Sequence, residues 1–161
     1  MNPGAQLTKL MSTQLPTKTQ QRRKVYRPDL RRVNQIYRLL NQVIFDNQLV
    51  RPQIILAQER KSLGWCKGYY YKVSPGTYCT IKLANKFYSI QWLIMVLAHE
   101  MAHQYQWDII GTSRIKQGRQ RKMSHGPSFF IHRKQLAEYG IPLLKVIKID
   151  RWFQYQDLKK L

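Results

Sequence analysis

The stretch from Ala98 to His103 reads Ala-His-Glu-Met-Ala-His and places two imidazoles and a carboxylate at a spacing that suits metal chemistry. The apolar run from Ile90 to Trp107 predicts a helix, and residues four apart on a helix share one face. His99 and His103 therefore point the same way, as two ligands of one Zn²⁺ must. Glu100 is close enough to act as a base without being a ligand. These groups would suffice for metal-assisted hydrolysis.

A third ligand is needed, because zinc hydrolases usually hold the metal with three protein groups and leave the fourth position to water. The remaining candidates in the sequence are His125, His132, Asp108, Glu138, Asp150 and Asp157. His125 is the best of them. It follows a glycine-containing loop that can return the chain to the motif helix, and it precedes a helix that would fix its position. His132 lies inside that helix and is interpreted as a surface or packing residue, and Asp108 lies off the metal-binding face.

Two alternatives to a catalytic metal remain open at this point. The motif can arise by chance on a helix. A zinc ion could also be purely structural, with Glu100 as the partner of a ligating histidine. We favour catalysis because the helix is otherwise apolar. Burying two imidazoles and a carboxylate there is unfavourable unless a metal compensates them.

The elements around the motif predict an α+β fold. Periodic apolar residues after Asp29 predict an N-terminal helix that ends near Phe45, and Ser89 is a predicted cap of the motif helix. Alternation and β-favouring residues predict three strands, which we expect to form a small antiparallel sheet, at residues 53–58, 63–72 and 78–83. Residues 108–122 are predicted to be a loop. The helix after His125 should stop at Gly140, and residues 141–149 could add an extended edge.

The charge of the chain is its most unusual property. It has 28 Lys and Arg against 8 Asp and Glu, a formal net charge of +20. Such a surface attracts polyanions, and we expect DNA to be the partner rather than a membrane, since no basic amphipathic helix stands alone. The basic residues concentrate near the N-terminus and between His103 and His125, where the predicted contacts are Arg22, Arg23, Lys24, Arg27, Arg31, Arg32, Arg114, Lys116, Arg119, Arg121 and Lys122.

We divide the chain into a basic, flexible arm at residues 1–27, one folded domain at 28–150 and a tail at 151–161. The arm would lie along a phosphate backbone, or it could simply be a solubilising tail. Cys66 and Cys79 predict two reduced thiols in a reducing compartment. No signal peptide or membrane span is visible, so we expect the protein inside the cell with nucleic acid, or in a virion if it is viral.

Several motifs together resemble the SprT-like/Spartan family of zinc metalloproteases. They are the segment Leu39 to Leu49, the strands Gly64 to Tyr71 and Tyr78 to Leu83, the His-Glu-Met-Ala-His motif, and His-Gly-Pro-Ser-Phe at residues 125–129. The resemblance implies a minimal zincin-like core with the third ligand at the start of the last helix. It also implies one Zn²⁺ held by His99, His103 and His125, with Glu100 as general base.

The same resemblance implies a DNA-linked role, because members of the family cleave proteins bound or crosslinked to DNA. The segment between His103 and His125 is long and basic for the family. We therefore expect a DNA-associated zinc metalloendopeptidase that acts in DNA–protein crosslink repair. The alternative is a non-catalytic nucleic-acid-binding or assembly protein, possibly a viral structural protein, that keeps the zinc fold without turnover.

Overall fold

The computed structural model describes residues 1–12, 23–58, 62–71, 76–111 and 125–145. These residues form four α-helices, three strands and two short helical segments of other types, so the predicted α+β class is confirmed. In chain order they are α1 (Pro3–Ser12), α2 (Leu30–Ile44), β1 (Gln53–Ala57), β2 (Gly64–Tyr71), β3 (Gly76–Ala84), α3 (Ile90–Tyr105), a π-helical segment (Gln106–Ile110), a 3-10 helix (Pro127–Phe130) and α4 (Arg133–Glu138).

Helix α2 begins where its capping signal predicts. The backbone N–H of Arg32 donates to Asp29 Oδ1 at 2.7 Å, which satisfies one of the free amides of the first turn. The apolar face of the helix is buried, as its periodicity predicts, and comprises Val33, Ile36, Tyr37, Leu40 and Ile44. The helix is followed by two residues with positive φ, Asp46 and Asn47, which turn the chain towards β1.

The sheet has the order β1-β3-β2 and is mixed. Strands β2 and β3 form the expected antiparallel hairpin, but β1 pairs with β3 in parallel, so the prediction of an antiparallel sheet is wrong for that pair. The reason is topological. Strand β2 lies between β1 and β3 in sequence but at the outer edge in space, and two reversals of direction bring β3 parallel to β1. Alternation of residues identifies strands but does not order them.

Helix α3 carries the motif through the centre of the fold. Ser89 caps it as predicted, accepting a hydrogen bond from the Trp92 N–H at 3.4 Å. Nearly every residue from Gln91 to Gln104 is buried, which explains why the run is apolar on all sides. The helix does not stop at Trp107. It continues as a π-helical turn to Ile110, so the predicted loop begins at least three residues later than expected.

The start of the chain departs from the predicted flexible arm at residues 1–27, of which residues 13–22 lie outside the described part. Residues 3–12 form α1, and Leu7 is completely buried against the core. Leu10 and Met11 also pack there, and their spacing from Leu7 is that of one helical face. Further along, Tyr26 pairs with Phe87 through two backbone hydrogen bonds of 2.9 and 2.8 Å. The signal for α1 was missed because its apolar stripe is short and set among Gln, Thr and Lys.

The C-terminal elements are compact. Gly140 ends the last helix with φ of 75°, as predicted. Residues 141–145 form no strand, and the rest of the predicted edge, like the tail at 151–161, lies outside the described residues. Cys66 and Cys79 are both free cysteines, with their Sγ atoms 3.8 Å apart. Within the described ranges, no helix has the length and apolarity needed to cross a membrane.

Candidate metal centre

The three predicted ligands meet at one point. Nε2 of His125 lies 3.1 Å from Nε2 of His99 and 3.2 Å from Nε2 of His103. His99 and His103 are one turn apart on α3, and His125 immediately precedes the 3-10 helix that begins at Pro127. Helical spacing therefore places the nitrogens of His99 and His103 together. The chain brings His125 back to them 22 residues after His103.

The donor set fits zinc. Zinc–nitrogen bonds of about 2.0–2.1 Å in a tetrahedron place two ligand atoms about 3.3–3.4 Å apart, close to the separations seen here. Three imidazole nitrogens facing one another at such distances repel unless a cation or a shared proton lies between them. Since one proton can bridge only one pair, a divalent cation is the natural partner of all three.

Desolvation favours the neutral form of the imidazoles, which is the form that binds a metal. Desolvation, reinforced by His103 and His125, lowers the pKa of His99 to about 3. Desolvation also lowers the pKa of His103 and His125. Nδ1 of His99 is buried and makes no hydrogen bond within the described residues, although the Leu144 backbone is near enough to favour its protonated ring slightly.

Glu100 is the buried carboxyl of the site, only 5% exposed. Burial raises its pKa to about 8, so it binds a proton far more readily than an ordinary glutamate. Strand β2 passes beside it at Gly64, where an added Cβ would meet Val96 at 3.0 Å and Cγ of Glu100 at 3.3 Å. A residue without a side chain is what lets the sheet edge approach the carboxyl.

Three residues that the sequence analysis left without a role complete the site. The buried ring of Phe129 lies 4.7–4.8 Å, centroid to centroid, from all three imidazoles and forms their apolar support. Gln106 Oε1 lies 2.9 Å from Nδ1 of His103, and Gln106 Nε2 donates to Ser128 Oγ at 2.8 Å. The available signal was position: Gln106 is three residues past His103, hence on a neighbouring face of the helix.

The rival ligand candidates lie elsewhere. His132 packs between the rings of Phe45 and Tyr105, at 4.6 and 4.5 Å, which agrees with its interpretation as a packing residue. Asp108 accepts a hydrogen bond from Gln104 and is not part of the histidine cluster. Glu138 is exposed, and Asp150 and Asp157 lie outside the described residues.

The predicted nucleic-acid contacts are partly described. Arg23, Arg27 and Arg31 are exposed, and Lys24 Nζ lies 5.7 Å from the centroid of the Tyr88 ring. Arg32 borders a cleft between α1 and α2. The other residues of this prediction lie outside the described part of the chain: Arg22, Arg114, Lys116, Arg119, Arg121 and Lys122. Their role in binding stays a prediction.

Comparison with protein families gives one match, in which the model of the SprT-like family covers residues 33–148. The chain belongs to the SprT-like family. The match contains the whole sheet and both elements that carry the histidines, so the predicted resemblance is confirmed. A comparison with curated proteins finds no match. SprT-like membership and the three-histidine cluster together indicate a metallopeptidase-type domain that can hold a metal ion.

Proposed function

We propose that this SprT-like protein is a DNA-associated zinc metallopeptidase that hydrolyses peptide bonds of proteins bound or crosslinked to DNA. The observation that carries the catalytic part is the convergence of three imidazole Nε2 atoms, with a buried carboxyl, Glu100, next to His99 on the same helix. The net charge of +20 supports the DNA part, since phosphate binding releases counterions and gives sequence-independent affinity.

His99, His103 and His125 would hold the ion. A bound zinc ion supplies Lewis acidity, which polarises a peptide carbonyl and lowers the pKa of water. Glu100 moves the proton: its carboxylate accepts one from the attacking water and delivers it to the leaving amide nitrogen. The low-polarity surroundings that raise the pKa of Glu100 make it a stronger base, and a nearby divalent cation favours its ionised form.

The metal assignment can be tested by measuring zinc per chain in purified variants. We expect about one ion in the wild type and a large loss in His125→Ala, since two ligands hold zinc poorly. His132→Ala is the matched control, because it removes an imidazole that packs between Phe45 and Tyr105 rather than one that faces the cluster. Full zinc occupancy in His125→Ala would rule out the third-ligand assignment.

The catalytic assignment is tested with Glu100→Gln, which keeps the size of the side chain and removes its basicity. On a protein crosslinked to an oligonucleotide, we expect cleavage to fall by a factor of about 10² to 10⁴ while zinc content and DNA binding are unchanged. A zinc-loaded wild type that cleaves neither DNA-linked nor free protein would instead support a non-catalytic nucleic-acid-binding role.

A further inference from the structure

A cleft of about 630 Å³ lies between α1 and α2, away from the metal centre. Apolar side chains and cationic side chains share its lining, which includes Leu10, Ile36, Leu39, Lys9, Arg32 and Arg38. Ile36 is buried, Leu10 and Leu39 are half-buried, and Lys9 and Arg38 are exposed, so the cleft has an apolar floor and a basic rim. It exists only because residues 3–12 fold back on α2.

All the charged side chains in the described lining of the cleft are positive. None of the described residues that line it is acidic. Residues 13–29, which join the two helices in sequence, contain five Lys and Arg and one acid, Asp29, whose side chain caps the first turn of α2. Arg32 is steadied by a 3.5 Å hydrogen bond from its Nη1 to Gln35 Oε1. Cations gathered around one cleft repel one another, and an anionic ligand relieves that repulsion.

The lining of the cleft also contains groups that suit parts of a ligand other than its negative charge. Gln6, Gln35 and Gln42 present amide groups, which can both donate to and accept from the edge of a base. The apolar floor suits the face of a base or a sugar, and the basic rim suits phosphates. The volume is in the range of small-ligand sites, enough for a nucleotide or two but not for a duplex, whose bases are stacked and paired.

We infer that the α1–α2 cleft binds a short stretch of single-stranded nucleic acid, with bases on its apolar floor and phosphates at Lys9, Arg32 and Arg38. This inference rests on the nucleic-acid part of the proposed function and names the surface that performs it. It differs from the predicted arm, because the contacts come from two packed helices. It does not depend on whether the metal centre turns over.

The test compares two double variants that remove the same charge. Lys9→Ala/Arg38→Ala empties the rim, while Arg51→Ala/Lys134→Ala removes two exposed cations that do not line the cleft. Affinity for a labelled oligothymidylate of about ten nucleotides is measured by fluorescence anisotropy over a range of salt concentrations. We expect the rim variant to bind at least about tenfold more weakly, with a salt slope smaller by about 1.4, and the control to change little.

Equal weakening by the two variants would mean that only overall charge matters and would overturn the inference. Wild-type affinity in the rim variant would overturn it as well. An oligoadenylate RNA and a hairpin duplex are measured alongside: the cleft should treat both single strands alike and show no rim effect on the duplex. Polyglutamate and phosphatidylserine vesicles are the competing anions, and a rim-dependent affinity for either in place of the oligonucleotide would contradict the inference. Hydrolysis of a free peptide reports separately on the peptidase function.

A second inference comes from a different observation, the hydrogen bonds of Gln106. This side chain is 8% exposed and lies between His103 Nδ1 and Ser128 Oγ. Because an amide oxygen only accepts, this contact favours the His103 tautomer with its proton on Nδ1 and its lone pair on Nε2. Nε2 is the atom that faces the other two imidazoles. Ser128 belongs to the segment that begins at His125, so the same amide ties the two ligand-bearing elements together.

We propose that Gln106 is a positioning residue that fixes the tautomer and ring orientation of His103 for metal binding. This proposal rests on the metal part of the proposed function. Partners of this kind commonly contribute a factor of 10 to 100 in metal affinity. The geometry assigns Gln106 to the role because its oxygen is 2.9 Å from the nitrogen that does not face the cluster.

The experiment measures zinc affinity by competition with a chelator and the His103 ring tautomer by nitrogen-15 NMR. Gln106→Leu should weaken zinc binding about 10- to 100-fold and lose the Nδ1–H signature. Gln106→Glu, which keeps an acceptor oxygen, should rescue both. Gln104→Leu is the control, a buried neighbour bonded to Tyr37, Val50 and Asp108 instead, and should lower stability without changing zinc affinity. Unchanged affinity and tautomer in Gln106→Leu, or equal losses in both leucine variants, would overturn the proposal, whether or not the protein cleaves peptides.

Discussion

Asp108 is a partly buried carboxyl that accepts hydrogen bonds from amide groups. Gln104 Nε2 donates to its Oδ2 at 2.9 Å. Desolvation raises the pKa of Asp108 to about 6, and the hydrogen bonds from Gln104 and the Val50 backbone only partly oppose it. Because the folded pKa lies above the ordinary value of 3.8, ionisation is less favourable in the folded protein. The stability that protonated Asp108 contributes is complete below pH 4 and is lost as the pH rises through about 6.

Asp108→Asn should therefore stabilise the protein at neutral pH, since it keeps an acceptor for Gln104 and removes the buried charge. After allowance for screening at a partly exposed group, we expect about 1 kcal/mol, or a rise in Tm of about 2–4 °C at pH 7.5. The gain should vanish at pH 4. Thermal unfolding of both proteins across this pH range measures it, and a gain that is independent of pH would contradict the electrostatic explanation.

At single residues, the sequence predicted what spacing alone determines. His99, Glu100 and His103 follow from helical period, and His125 follows from the need for a third ligand and from the loop before it. Gln106 could not be singled out, because its role depends on where Ser128 lies after a chain return of 22 residues. The contact of Gly68 with the Trp107 ring was equally hidden, since no local pattern brings a strand glycine under a particular indole.

Among the elements, helix α1 is the one whose stability most directly tests the structure. Leu7→Ala removes a fully buried side chain from the contact of α1 with the core. Burial of the Leu7 side chain holds α1 against the core. We therefore expect Leu7→Ala to lower the free energy of unfolding by about 2–5 kcal/mol. Denaturant unfolding measures it. Thr8→Ala, at an exposed position of the same helix, is the control and should change stability little. Equal stability of the two variants would contradict the packing of α1 on the core and would support the predicted flexible arm.

Helices and strands were recognised where periodicity or caps are strong, as with α2 and α3. The parallel pairing of β1 with β3 was not predicted, because alternation along each strand does not specify which strands become neighbours. The π-helical segment was missed for a related reason. Its residues Gln106–Ile110 have no distinctive composition, and only the contacts around them reveal the wider turn.

For the whole molecule, the excess of positive charge acts in opposite directions on folding and on binding. Raising NaCl from about 0.01 to about 0.1 M shortens the Debye length from about 30 to about 10 Å and screens repulsion among the 28 basic residues. We expect Tm to rise by about 2–4 °C over this range while affinity for oligonucleotides falls. KCl should act like NaCl, and a Tm that falls with salt would show that repulsion does not limit stability.

The π-helical segment Gln106–Ile110 changes the directions in which the following residues face. An α-helix advances about 100° per residue, so the additional residue in a π turn sets everything after it out of phase by roughly that angle. Upstream of the offset the histidines face the metal centre. Within the π-helical segment, Trp107 lies on Gly68, and the Gly111 N–H donates to Gln106 O at 2.7 Å, an i→i+5 bond. Deleting one residue from the π-helical segment would leave the His-Glu-x-x-His sequence intact. It would change the orientation of the residues that follow the motif. The site therefore depends on the angular offset at the π turn as well as on the residues of the motif.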